Sequence, residues 1–252
     1  MMMIKSFKQR GFTLVEMSIV LVVIGLILGA VSIGGDLRRN AEYAKIKNKF
    51  VDQWVQAYNT HYERAGVVIG DNQTAPKLMV NGEAYAGISG GVDMSSVTHP
   101  GICHGSSAPG LTPAVTNLQL HDFMDKLGIR MPPGRAEGQE DRYVYLDSNG
   151  NPQEVQVCFK WNKPRTPWGS GNVMLLTGLT PDLARYLDQM IDGKPDASEG
   201  FFRQQDVVAV SEGIPGLEWQ GDNTLEFNGG GAGAEGDEIQ VITVVAHYKM
   251  NQ

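Results

Sequence analysis

From Met17 to Gly35 the chain carries no charged side chain, and Ile, Val and Leu dominate the stretch. A run of about 20 apolar residues is long enough to cross a bilayer as an α-helix, whose backbone hydrogen bonds are all internal. Upstream, residues 1–11 hold Lys5, Lys8 and Arg10 and no acid, a positive flank that places the extreme N-terminus on the cytoplasmic side. A conventional cleaved secretory signal fits poorly, because the run exceeds an h-region of about 7–15 residues. The small-x-small sequence Ala30-Val31-Ser32 sits inside the run rather than beyond it.

Glu16 stands at the entry to the run. A carboxylate near the centre of a membrane helix costs about 2.5–3.5 kcal/mol, and less toward an end, so this residue needs a partner. Two partners are open. Thr13 as N-cap with Glu16 three residues on forms a capping box; alternatively, a positive group of another chain pairs with the carboxylate.

The segment Lys8-Gln9-Arg10-Gly11-Phe12-Thr13-Leu14-Val15-Glu16, followed by the apolar run, closely resembles the class III signal of type IV pilins and type II secretion pseudopilins. The resemblance implies cleavage after Gly11 by a prepilin peptidase and N-methylation of Phe12 as the new N-terminus. It also implies that Glu16 neutralises the Phe12 amine of a neighbouring subunit during filament assembly, and that leader removal moves the helix start in favour of that pairing. One departure is Ile33, which stands where many major pilins carry a helix-distorting Pro. Gly25, Gly29, Gly34 and Gly35 remain as weak points in the helix.

Beyond Gly35 the pattern turns amphipathic. Leu37, Ala41, Ala44, Val51, Trp54 or Val55, Tyr58 and Tyr62 recur mostly at steps of three and four, which marks one apolar helix face. Gly66 is the expected stop. The basic residues between Arg38 and Lys49 read as a solvated helix face rather than a nucleic-acid site, since the overall charge is −7 and the patch is short.

The remainder reads as a head of mixed α and β structure. A Gly-, Ser- and Pro-rich stretch from Gly66 to Pro113 precedes a short helix at Asn117–Leu127. Strands at Arg142–Leu146 and Glu154–Trp161 flank the turn-rich sequence Asp147 to Pro152, a hairpin signal. Val173–Thr177 is a further strand. Thr180–Ile191 is the clearest helix, with Thr180 as N-cap, Pro181 at N1 and Gly193 at its end. Strands near Asp206–Val210 and Ile239–Tyr248, with Gly-rich Asn228–Glu238 between them, close the chain. The expected fold is therefore α+β and pilin-like, a long N-terminal helix packed on a globular head with an antiparallel sheet. Its parts are a leader at 1–11, a membrane-spanning or filament-core half-helix at 12–35, an amphipathic half at 36–65 and the head at 66–252.

Cys103 and Cys158 are the only cysteines. In an exported head they lie where disulfides persist, and a bond between them is expected. His99, Cys103 and His104, with His121 and Cys158 elsewhere, match no common zinc spacing, and a disulfide consumes both sulfurs. Asp188, Asp192, Asp196 and Glu199 lack the Asp-x-Asp-x-Asp-Gly order of a calcium loop and read as a helix end with an acidic turn. No metal and no cofactor are expected. Neither a nucleophile elbow, a His-Glu-x-x-His pair nor a phosphate loop occurs, so the chain reads as a non-enzyme.

The resulting expectation is a structural subunit of a type IV pilus-like filament. A chain this long beside the major pilins and pseudopilins it resembles points to a minor or specialised subunit. A major pilin, a type II secretion pseudopilin, and a filament-borne adhesin or DNA-receptor head are the alternatives. The partners implied are the prepilin peptidase, like or related pilin subunits, an inner-membrane assembly platform, and the lipid bilayer before assembly. The expected location is the inner membrane, with the head outside the cytoplasm, then a surface pilus or periplasmic pseudopilus.

Overall fold

The computed structural model describes residues 12–85, 101–104, 119–208, 216–220 and 243–251, with the side chains at 31–34, 36, 84 and 85 excepted. The chain divides into two units, Met1–Glu42 and Tyr43–Gln252.

Helix α1 spans Leu14–Ile46. Its large apolar side chains from Leu14 to Leu28 are exposed, Leu14 at 91% and Leu26 at 70%. The membrane-spanning segment expected over 12–35 is not supported: among the described residues no helix is long and apolar enough to cross a membrane. The side chains at 31–34, Ile33 and Gly34 among them, lie outside the described residues.

In the second unit the helical path continues through a π-helical turn, Lys47–Val51, into α2, Asp52–Ala65. The buried face comprises Tyr43, Ile46, Phe50, Val51, Trp54, Ala57 and Tyr58. Ile46, Phe50, Trp54 and Tyr58 repeat at steps of four, and each step overshoots a 3.6-residue turn by about 40°. A wider π turn takes up part of that drift and keeps the row on one face. A constant helical period misses this turn. The expected stripe has the right members at Val51, Trp54 and Tyr58, whereas Leu37 and Ala41 are exposed and Tyr43, Ile46 and Phe50 take the buried positions. Gly66 ends α2 in the left-handed region at φ 74°, its amide bonded to the Tyr62 carbonyl at 2.8 Å.

That face packs on an antiparallel sheet of five strands: β1, Arg142–Leu146; β2, Pro152–Asn162; β3, Gly171–Leu179; β4, Phe202–Gln204; and β5, Val244–Lys249. The order is β1-β2-β3-β5-β4. Val155, Val157 and Phe159 point into the core, as their alternation predicts, opposite Met174 and Leu176 of β3. The Phe159 ring meets Tyr58 at 5.1 Å, stacked, and Trp54 at 6.3 Å. In the β1–β2 hairpin the Asp147 carboxylate accepts the amides of Asn149 and Asn151, which fits the Asp-Ser-Asn-Gly-Asn signal.

Helix α3, Leu120–Lys126, and helix α4, Pro181–Asp192, complete the unit. In α4 the Thr180 hydroxyl oxygen accepts the Leu183 amide and Gly193 ends the helix at φ 77°, while Leu183, Ala184 and Leu187 are buried. The strand expected near Asp206–Val210 lies earlier, at Phe202–Gln204. Phe202 faces the Tyr248 ring there, and Asp192 accepts the Phe201 and Phe202 amides. Much of Gly66–Pro113, the first residues of the helix expected at Asn117, and the Gly-rich Asn228–Glu238 lie outside the described residues.

Candidate functional site

At the N-terminus Gly11 lies outside the described residues. Phe12 is 79% exposed and stands two residues ahead of the first helical residue, Leu14. The Thr13 amide and hydroxyl donate to Glu16 Oε2 at 2.8 and 2.9 Å, and the Glu16 amide donates back to Thr13 Oγ1 at 3.3 Å. This is a capping box, with a negative charge at the positive end of the helix dipole. Of the two partners left open by the sequence, the single chain supplies Thr13; the other requires a second subunit.

In the head, a second cluster gathers where residues 101–104 and α3 meet β2. Ile102 pairs with Phe159 through two backbone hydrogen bonds, of 2.7 and 2.9 Å. This lays Cys103 beside Cys158, and the two form a disulfide with Cα atoms 4.6 Å apart. The next residue, His104, stacks its ring on His121 of α3, centroids 3.7 Å apart and planes 11° apart. Helix α3 is held there by its Leu120 amide, which donates to the Cys103 carbonyl at 3.1 Å, and by a Gln119–Asp122 capping box.

The His121 Nε2 atom lies 3.5 Å from Asp141 Oδ1, and its Nδ1 atom lies 3.6 Å from Glu140 Oε2. Asp141 is fully buried. Gln156 ties the cluster together, donating to Asp141 Oδ2 at 2.9 Å and to the His104 carbonyl at 3.0 Å. His104 and His121 are legible as candidate ligands in the sequence. Asp141 is not: it stands in the approach to β1 among other charged residues, and only strand pairing brings it to α3. His99 lies outside the described residues.

The acidic group at the end of α4 shapes loops. Asp188 Oδ2 accepts the Asp196 amide at 2.6 Å and the Trp219 indole N–H at 2.7 Å. Asp192 receives the Phe201 and Phe202 amides, and Asp196 receives the Ser198 amide and hydroxyl. Lys194 lies 3.4 Å from Asp196 and 3.6 Å from Glu199. Desolvation pushes the Asp188 carboxyl up to about 7, against the Trp219 and Asp196 hydrogen bonds that favour its charge.

The basic leader, the Gly11-Phe12 junction, Glu16 and the apolar run that follows are the sequence features of a class III signal. Residues 6–32 match the family described as the prokaryotic N-terminal methylation motif. The chain thus has the N-terminal segment of a precursor similar to type IV pilins and pseudopilins, and the motif implies prepilin-peptidase processing and pilin-like assembly. No curated protein and no solved structure matches the chain.

Proposed function

We propose that this chain is a structural, non-catalytic subunit of a type IV pilus-like filament, in a minor or specialised position. Prepilin peptidase cleaves after Gly11, and Phe12 is then N-methylated. The precursor is held at the inner membrane with its head outside the cytoplasm, and an assembly platform there passes it into the filament. The observation that carries this reading is the methylation motif on a helix whose apolar side chains from Leu14 to Leu28 are exposed in the single chain. Packing those side chains among like helices removes them from lipid or water. Glu16 compensates its own burial by pairing with a neighbouring Phe12 amine.

Intact-mass measurement of the chain made with and without an active prepilin peptidase tests the first step. Loss of residues 1–11 with one added methyl group, only when the peptidase is active, supports the reading. A chain of unchanged mass in both cases contradicts it.

A further inference from the structure

We propose that His104, His121 and Asp141 bind one divalent transition-metal ion, zinc being the ion their donor set suits best. Each residue offers one ligand atom, and the three atoms lie within 4.8 Å of one another. Two imidazoles and one carboxylate make a borderline nitrogen and oxygen set, as zinc prefers, with a fourth position left for water. The paired Cys103 and Cys158 supply no thiolate.

Burial separates this cluster from a casual gathering of polar side chains. The side chain of His121 is 8% exposed and that of Asp141 is 0% exposed. His104 Nδ1, His121 Nε2 and Asp141 Oδ1 are buried atoms without a hydrogen-bond partner among the described residues. Buried polar atoms in native structures nearly always have a partner, so three unpartnered ones that converge require an explanation. One ion meets all three. Zinc bonds of about 2.0–2.2 Å place tetrahedral ligand atoms about 3.4 Å apart. Closing the site therefore draws the ligand atoms in by about an ångström and also tilts the His104 ring out of its stack on His121, because the in-plane lone pairs of two nearly parallel rings do not converge on one ion. His104 is only half-buried, so its ring has room to tilt.

The surroundings are those of a metal site. A ligating imidazole usually hands its other ring nitrogen to a carboxylate, and ligating carboxylates are themselves hydrogen-bonded. Here Glu140 Oε2 faces His121 Nδ1 at 3.6 Å, and Gln156 holds Asp141 Oδ2 at 2.9 Å. The competing arrangement is a protonated His121 between Glu140 and Asp141. Its contacts of 3.5 and 3.6 Å are long beside charge-assisted hydrogen bonds of about 2.7–2.9 Å, and it leaves His104 Nδ1 with nothing to do. A bound ion would tie the disulfide-anchored 101–104 segment, α3 and the approach to β1 into one brace. The proposal does not depend on the filament role.

The test uses the full chain in detergent, disulfide intact, without a polyhistidine tag and stripped with EDTA. Zinc chloride is titrated calorimetrically, and metal content is measured after gel filtration. One equivalent of zinc is expected to bind and to raise the unfolding temperature. His104→Ala and Asp141→Asn should each weaken binding at least tenfold and abolish that rise. Failure to retain stoichiometric zinc at micromolar free metal overturns the site, and so does binding that both variants leave unchanged. Should Asp141→Asn not fold, His104→Ala decides alone, since it alters a half-buried loop residue. Unchanged zinc affinity in that variant overturns the proposal.

Discussion

Thr13 and Glu16 close the first turn of α1 on each other, the Thr13 amide and hydroxyl donating to the Glu16 carboxylate while the Thr13 oxygen accepts the Glu16 amide. In the unprocessed chain the carboxylate therefore has a local use. Under the proposed cleavage after Gly11, a free amine would stand one residue before Thr13, and the same carboxylate could serve a neighbour. The two uses separate chemically. A capping box accepts Gln in place of Glu, whereas an ion pair does not. Glu16→Gln is expected to be processed normally and yet assemble as poorly as Glu16→Ala, measured as the amount of the chain in sheared filaments. Normal assembly of the Gln variant would show that capping alone is the residue's task.

Gly11→Val places a branched side chain at the proposed scissile bond. Retention of the leader is expected, seen as an intact mass heavier by residues 1–11 and lacking the methyl group. Wild-type processing of this variant would move the cleavage site elsewhere.

The Cys103–Cys158 bond closes a separation of 55 residues, which corresponds to about 4 kcal/mol in the chain-entropy account of disulfides. Cys158 and Leu175 form a small cluster, apart from the main core, against which Cys103 and Val245 pack. Urea unfolding of the Cys103→Ser, Cys158→Ser double variant should show a lower midpoint with a loss of up to that size. Unfolding curves that coincide with the oxidised wild type would remove the bond from the stability account.

These elements differ in how far the sequence reveals them. Short-range chemistry is legible: the Thr13–Glu16 spacing, the Asp147 turn and the Thr180-Pro181 start of α4 each state their own geometry within a few residues. The α+β class and the inward row Val155, Val157 and Phe159 follow from periodicity. What periodicity hides is a change of period, as at Lys47–Val51, where a π turn swings Tyr43, Ile46 and Phe50 onto the buried face. Also hidden is anything made by long-range pairing. Asp141 meets His121 and His104 only because β1 pairs with β2 and the Ile102 segment pairs with Phe159, and no local pattern encodes that meeting.

Two buried groups push stability in opposite directions across mildly acidic pH. Burial raises the Asp188 carboxyl from an ordinary 3.8 to about 7, so between those values the folded chain holds a proton that the unfolded chain has lost. Its contribution therefore falls as pH rises through that window. His247 behaves oppositely. Burial, helped by nearby Lys160, lowers it from 6.5 to about 3, so its contribution is lost as pH falls below 6.5. Asp188→Asn keeps an oxygen for the Trp219 and Asp196 N–H groups and removes the first effect. Relative to wild type, its urea midpoint should rise at pH 7 and lose that advantage by pH 4, whereas parallel pH profiles would contradict the assignment. Asp188→Ala should lose about 2–4 kcal/mol, because two buried donors lose their acceptor.

The most direct test of the filament reading is quantitative mass spectrometry of sheared surface filaments beside the membrane fraction of the native cells. The expected result is a peptide beginning at N-methyl-Phe12 in both fractions, scarce in the filaments relative to their main subunit and more abundant in the membrane. A chain that keeps residues 1–11 and is missing from sheared material would contradict it.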